Sequence, residues 1–230
     1  STLKAVRAIK TAEGAPLKML SESITLPRGE LQPRIYALEA RQKELLGSLT
    51  GTTLNLKTFL ALTAKYDLAP EFPSHYAHRY AQEKALGKEV LRKLDANNRK
   101  NMEAYLRNVL VMEEMTRVQE NLRLLKMHQA QHVAAGKRTL DVELVGLRVG
   151  DFVLVTSPGE LTCQIGLNIK KASPHKNTFV AGYTNGYIYY APTAEQLANV
   201  GGAQEDSDCL LAPEWQKIFE DRVAELLKKL

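Results

Sequence analysis

Several kinds of protein are excluded by what this 230-residue chain has little of. It has only two cysteines, Cys163 and Cys209, far apart and in no metal-binding spacing. A disulfide framework is therefore excluded. A single bridge or two buried free thiols remain, and the free thiols are the expectation. No apolar run approaches the roughly 20 residues of a membrane-spanning helix. Residues 1–20 carry Lys4, Arg7, Lys10, Glu13 and Lys18, so no export leader is legible. There are no internal repeats and no low-complexity segments. The charge of one sign that a nucleic-acid binder gathers on one face is also missing. The net charge is +5, but the basic residues are mixed with acids throughout. No nucleic-acid partner is expected.

What is present is an ordinary globular composition: 44% hydrophobic and 25% charged. Such a chain can bury a core without staples. Residues 21–27 alternate polar and apolar and read as a short strand closed by Pro27-Arg28-Gly29. Ile35, Leu38, Leu45 and Leu46 recur at helical spacing before Gly47. Residues 55–66 read as helix, and Pro70 and Pro73 break the segment after it. A helix over about 76–94 is expected to turn into a longer one from Arg99 to about Met127. Asp95, Asn97 or Asn98 would cap the second, making an antiparallel hairpin. The period then changes to two. Residues 139–158 read as two strands turning at Val149-Gly150-Asp151. "LTCQIGLNIKKAS" reads as a short helix and residues 177–184 as a third strand. Residues 193–200 read as a helix capped by Thr193. The last segment is an amphipathic helix with Trp215, Ile218, Phe219, Val223, Leu226 and Leu227 on one face. The fold class is α+β, with a mainly helical part over 1–138 and a strand-rich part over 139–230, expected to form one continuous domain.

Two stretches carry candidate chemistry. In "TSPGELT" a carboxylate, Glu160, follows an apolar strand through Pro158-Gly159. A side chain on a sharp turn at a strand end is held rigidly and can serve as a metal ligand or general base; the alternative is a solvated loop glutamate. In "GYTNGYIYYAPT" the tyrosines Tyr183, Tyr187, Tyr189 and Tyr190 crowd eight positions. Their phenols could bind a ligand or a hard metal, or the segment could simply be an aromatic strand in the core. Other candidates are weaker. His128 and His132 lie four apart on a helix and could share a metal. The carboxylates of "QEDSD" (Glu205, Asp206, Asp208) could hold a hard cation. His75, His78 and His175 read as helix-start and loop residues. Ser1 at the chain start could be a nucleophile or simply a processed end.

Taken together, Pro158-Gly159-Glu160-Leu161-Thr162 and Asn185-Gly186-Tyr187-Ile188-Tyr189-Tyr190-Ala191-Pro192-Thr193 resemble the neutral (non-lysosomal) ceramidase family. Its late catalytic segment runs PGE(x)T, a strand, N-x-Y-x-x-Y-x-x-T and then a Tyr-Glu pair. The resemblance spans about 139–210, and Gln204-Glu205 stands where the family has Tyr-Glu. It implies a zinc-dependent amidase that splits the amide of an N-acyl sphingoid lipid. Glu160 and Tyr190 would be zinc ligands, with Asn185 in the site. The family's histidine ligands and nucleophilic serine lie in an earlier half that is not recognisable here. The resemblance therefore implies that this chain is the later, C-terminal half of a larger catalytic domain, that the earlier half is its partner, and that it is exported. A half-domain would also expose an apolar face through which two copies could pair. The alternative reading is a non-catalytic relative that docks an anionic partner through its basic helical hairpin.

Overall fold

The computed structural model describes residues 2–9, 13–68, 78–198 and 203–230. The elements run α1 (Thr2–Ala8), β1 (Leu17–Pro27), α2 (Gln32–Ser48), α3 (Leu56–Leu68), α4 (His78–Ala85), α5 (Val90–Ala135), β2 (Thr139–Val149), β3 (Phe152–Thr156), β4 (Glu160–Leu161), α6 (Cys163–Ala172), β5 (Asn177–Ala181), β6 (Tyr190–Ala191), α7 (Ala194–Ala198) and α8 (Trp215–Lys229). The class is α+β. The chain forms two compact units, one of residues 1–36 with 121–230 and one of residues 37–120.

In the first unit β1, β2, β3 and β5 form one mixed sheet in that order. β1 and β2 pair antiparallel over their whole length, from Leu17 with Val149 to Pro27 with Thr139. The turn into β3 falls where the sequence puts it, at Gly150, whose φ of 60° suits glycine. β5 joins β3 in parallel, and α6 makes the crossover. β1 is longer than its expected span because Leu17–Leu20 find partners in β2 that no local pattern announces.

Alternation along β1 and β2 puts Ile24, Leu26, Val142 and Leu144 on one buried face. The stripe expected on the last helix meets that face: Trp215, Phe219, Val223, Leu226 and Leu227 are all buried, while Ile218 stays outside. Each fully buried side chain of this kind contributes about 1.5–3 kcal/mol. Gly146 sits beneath α8, where a Cβ would come within 2.8 Å of Leu230 and 2.9 Å of Leu226. The Trp215 indole N–H donates to the carbonyl of Pro192 at 2.9 Å, tying α8 to the segment after β6. Thr193 caps α7 as expected. Its hydroxyl accepts from the Gln196 N–H at 3.2 Å, and the Gln196 side chain accepts from the Thr193 N–H at 2.9 Å.

The second unit corrects one expectation. Asp95, Asn97 and Asn98 do not cap a helix. They lie inside α5, which runs unbroken for 46 residues. The break comes earlier, at Gly87 with φ 69°. Asp95 is buried and collects donors. Tyr66 and Lys65 reach one of its oxygens at 2.9 and 3.0 Å, and Tyr80 reaches the other at 2.6 Å. Arg79 adds an ion pair. A carboxylate this well satisfied is stable where a bare one would not be, and it clasps α3 and α4 to α5.

The thiols are free, but only Cys209 is buried. Cys163, at the first turn of α6, is exposed, so the expectation of two buried thiols holds for one. Among the described residues no helix is long and apolar enough to cross a membrane.

A carboxylate held by tyrosines

The turn after β3 is built from small parts. The Ser157 hydroxyl accepts from the Gly159 N–H at 3.1 Å, and the Ser157 N–H donates to the carbonyl of Ala181 at 2.8 Å. Gly159 is packed against the tyrosine segment, where a Cβ would meet Ala191 at 3.1 Å and Ile188 at 3.3 Å. That closeness lets β4 pair with β6 in parallel, with Glu160 opposite Tyr190 and Leu161 opposite Ala191. The Glu160 N–H donates to the carbonyl of Tyr189 at 2.9 Å.

The tyrosine segment is strained. Tyr183, Asn185 and Tyr189 have φ of 55°, 61° and 64°. Non-glycine residues in the left-handed region cost of order 1–3 kcal/mol, and such strain gathers where a side chain must be aimed. Here it aims phenols at one carboxylate. Tyr187 donates to one oxygen of Glu160 at 2.5 Å, and Tyr183 donates to the other. The rings of Tyr183 and Tyr187 stack with centroids 6.1 Å apart.

This arrangement sets the charge state. Partial burial opposes ionisation of Glu160, but the bonds from Tyr183 and Tyr187, with a further contribution from Tyr190, outweigh it and hold the carboxyl below the usual range. The reciprocal effect raises the phenols. Hydrogen bonding to Glu160 pushes Tyr183 up to about 12 and moves Tyr187 and Tyr190 in the same direction. Glu160 is thus a carboxylate surrounded by protonated phenols. Among the described residues it has no cationic partner.

Glu160, Tyr183 and Tyr190 line a pocket of about 670 Å³. Leu161, Leu167, Val180 and Pro192 give it an apolar wall, and Lys170, Gln196 and Glu205 add polar groups. Glu205 belongs to a short 3-10 turn, Gln204–Asp206.

The structure brings together the two residues singled out as metal ligands, Glu160 and Tyr190, whereas Asn185, expected in the site, does not line the pocket and contributes a left-handed backbone position, φ 61°, to the segment before Tyr187. Tyr183 and Tyr187 show in the sequence only as aromatic crowding. Their separations of 23 and 27 residues from Glu160 hide the hydrogen bonds. Of the remaining candidates, Glu205 and Asp206 also line the pocket, and the described histidines lie elsewhere. His128 is fully buried, with Nε2 2.7 Å from Asp208. His132 is a partly buried residue whose imidazole is held below its usual value, by desolvation first and then by Arg28. His175 meets the carbonyl of Leu227 at 2.8 Å. The acidic run is divided: Asp206 is buried and Asp208 is engaged by His128. Ser1 and His75 lie outside the described residues, and His78 opens α4.

A carboxylate and a phenol are oxygen donors that zinc accepts, so Glu160 and Tyr190 fit two ligand positions. They do not fit a whole site. A catalytic zinc takes about three protein ligands. Among the described residues no group of three or more His, Cys, Asp or Glu side chains could hold a metal ion.

No protein-family model matches the chain, and no curated protein matches it. Among solved structures, part of it is similar to the neutral ceramidase from Pseudomonas aeruginosa. The likeness has 24% identity over 39% of this chain and 16% of that one, with a TM-score of 0.32. A structure described as ceramidase complexed with C2 is similar at 25% identity, over 39% of this chain and 15% of that one, with a TM-score of 0.31. The chain thus matches only a small fraction of the length of either structure.

Proposed function

We propose that this chain is part of a ceramidase-like hydrolase, and that its pocket receives an N-acyl lipid or related amide for cleavage of the amide bond. The observation that carries this reading is the gathering of Glu160 and Tyr190 as register partners on the wall of an apolar-sided pocket of about 670 Å³. These two residues stand in the two motifs that resemble the family, and the resemblance implies for them the roles of zinc ligands.

In this reading Glu160 is kept ionised so that it is an acceptor throughout the reaction. Tyr183 and Tyr187 fix its two oxygens and stay protonated. Asn185 takes the left-handed backbone that turns the tyrosine segment back toward Glu160. The wall of Leu161, Leu167, Val180 and Pro192 accommodates the acyl chain. Glu160 and Tyr190 would be two ligands of a zinc ion, with the others supplied from outside this chain. Zinc bound there would polarise the amide carbonyl.

The test uses the full-length protein. Glu160→Gln is expected to lower both bound metal and amidase activity by at least tenfold with the fold intact by circular dichroism, and Tyr190→Phe to lower both less. Unchanged metal content in Glu160→Gln would sink the assignment. Gln204, standing where the family has tyrosine, favours a second reading in which the pocket binds an amide lipid without cleaving it. Lipid binding by a protein with no amidase activity would select that reading.

A further inference from the structure

Besides its pairing with the turn after β3 and with β4, the tyrosine wall of the pocket is held to the first unit at Asp208. Its carbonyl accepts the Tyr190 N–H at 3.0 Å. Its own N–H reaches the carbonyls of Gln204 and Glu205 at 3.2 and 3.1 Å, which holds the turn that carries Glu205 on the pocket lining. One residue further on, Cys209 forms an isolated antiparallel bridge with Tyr189. Asp208 therefore joins the side of the pocket that bears Tyr190 to the side that bears Glu205.

The Asp208 side chain is in turn held from α5. His128 is fully buried, and its Nε2 lies 2.7 Å from the Asp208 carboxylate. A carboxylate only accepts, so Nε2 carries the proton and donates. Among the described residues the other ring nitrogen is buried without a partner. The His128 ring also meets the Tyr189 ring edge-on, with centroids 4.5 Å apart. One helical turn on, Gln131 donates to the Tyr189 phenol at 2.9 Å. Tyr189 is the residue at φ 64° that sends Tyr187 and Tyr190 to their places. Its own phenol does not bond Glu160. It is a strained hinge, clamped by ring packing on one side and a hydrogen bond on the other.

We infer that His128 is a positioning residue for the pocket. Through the Asp208 carboxylate and the face of Tyr189, it fixes the backbone of residues 189–190 and hence the register of Tyr190 against Glu160. A buried histidine with one nitrogen unpartnered is a costly way to fill a core site that leucine would fill as well. Its contacts explain its presence by what they orient. The catalytic part of the inference rests on the proposed reaction at Glu160 and Tyr190; the positioning part does not.

The experiment compares His128→Leu, which keeps bulk without the donor, with His128→Gln, which can still donate to Asp208. Site-resolved amide hydrogen exchange is read at Tyr190 and Glu160, whose N–H groups bond Asp208 and Tyr189, and at Leu144 and Val153 in the sheet core. His128→Leu is expected to speed exchange at Tyr190 and Glu160 at least tenfold with the sheet amides unchanged, and His128→Gln to restore most of the protection. Unchanged exchange at the two site amides would overturn the inference. So would an equal rise at the sheet amides, which marks a purely structural residue. If His128→Leu fails to fold, His128→Gln against Asp208→Ala gives the same comparison. In full-length protein that cleaves an amide, His128→Leu is expected to lower kcat about tenfold with KM little changed. A wild-type protein without amidase activity would defeat the proposed reaction, and the exchange result would still decide the role of His128.

Discussion

Glu160 and Tyr190 face each other as register partners in a two-stranded parallel pair, and the Glu160 N–H is bonded to the carbonyl of the residue before Tyr190. The side chains therefore owe their proximity to the backbone, and the carboxylate can be altered without dismantling the pair. Its charge also has a definite effect on stability. The folded-state pKa of Glu160 lies below its ordinary value of 4.5. Linkage then requires that its contribution be fully present above that value and be lost as pH falls through the depressed one. Glu160→Gln is expected to flatten the acid limb of a plot of melting temperature against pH, taken from about pH 7 to about pH 3. An acid limb identical to wild type would mean that the phenols do not hold the ionised form.

The phenols give the reciprocal signal at high pH. Tyr183 is raised from 10.0 to about 12 by its bond to Glu160. A raised folded-state value contributes stability below the ordinary phenol range and loses it as pH rises through the folded-state value. A spectrophotometric tyrosine titration is expected to show a group ionising near pH 12 that disappears in Tyr183→Phe. In Glu160→Gln, which removes the carboxylate whose hydrogen bond chiefly raises it, the same group is expected to move back toward 10.0. A Tyr183→Phe titration with its late component undiminished would refute the assignment.

The second unit has its own sensitive point. Asp95 is 1% exposed and accepts from Tyr66, Tyr80 and Lys65. Asp95→Ala strands these donors and is expected to destabilise the unit by about 3–5 kcal/mol. Asp95→Asn, which keeps acceptor capacity, is expected to cost less. Hydrogen exchange within residues 90–120 of α5 localises the loss. Protection there unchanged in Asp95→Ala would show that apolar packing alone holds the three helices.

The case of Asp95 also explains which features are legible in the sequence. Local patterns predict the structure where a local cause decides the outcome. The turn at Gly150, the cap at Thr193 and the buried stripe of Trp215, Phe219, Val223, Leu226 and Leu227 each rest on neighbours within a few residues. Asp95 reads as a helix cap because aspartate and asparagine are favoured there. Its actual partners, Tyr66 and Tyr80, lie 29 and 15 residues away. The site divides in the same way. Glu160 and Tyr190 are visible through their motifs. The bonds from Tyr183 and Tyr187 are not, because nothing in a run of tyrosines states which phenols face one carboxylate. His128 and Asp208 are 80 residues apart, and no spacing rule could pair them.

Gly159 tests whether the site depends on the closeness of its two strands. Its backbone is not left-handed, so conformation does not require glycine there; space does. An added Cβ would meet Ala191 at 3.1 Å, Ile188 at 3.3 Å and the carbonyl of Tyr189 at 3.4 Å. The last of these is the acceptor for the Glu160 N–H, so any shift that relieves the crowding displaces Glu160 from the tyrosines. Gly159→Ala is expected to cost about 1–3 kcal/mol in urea denaturation, the usual range for overpacking. It is also expected to weaken the late tyrosine ionisation. Gly166, inside α6 with nothing within 4 Å of its Cβ position, is the control. Gly166→Ala is expected to stabilise by about 0.5–1 kcal/mol through helix propensity and to leave the titration alone. If Gly159→Ala behaves like Gly166→Ala, the strands have room to spare, and the alignment of Glu160 with Tyr190 does not depend on their close approach.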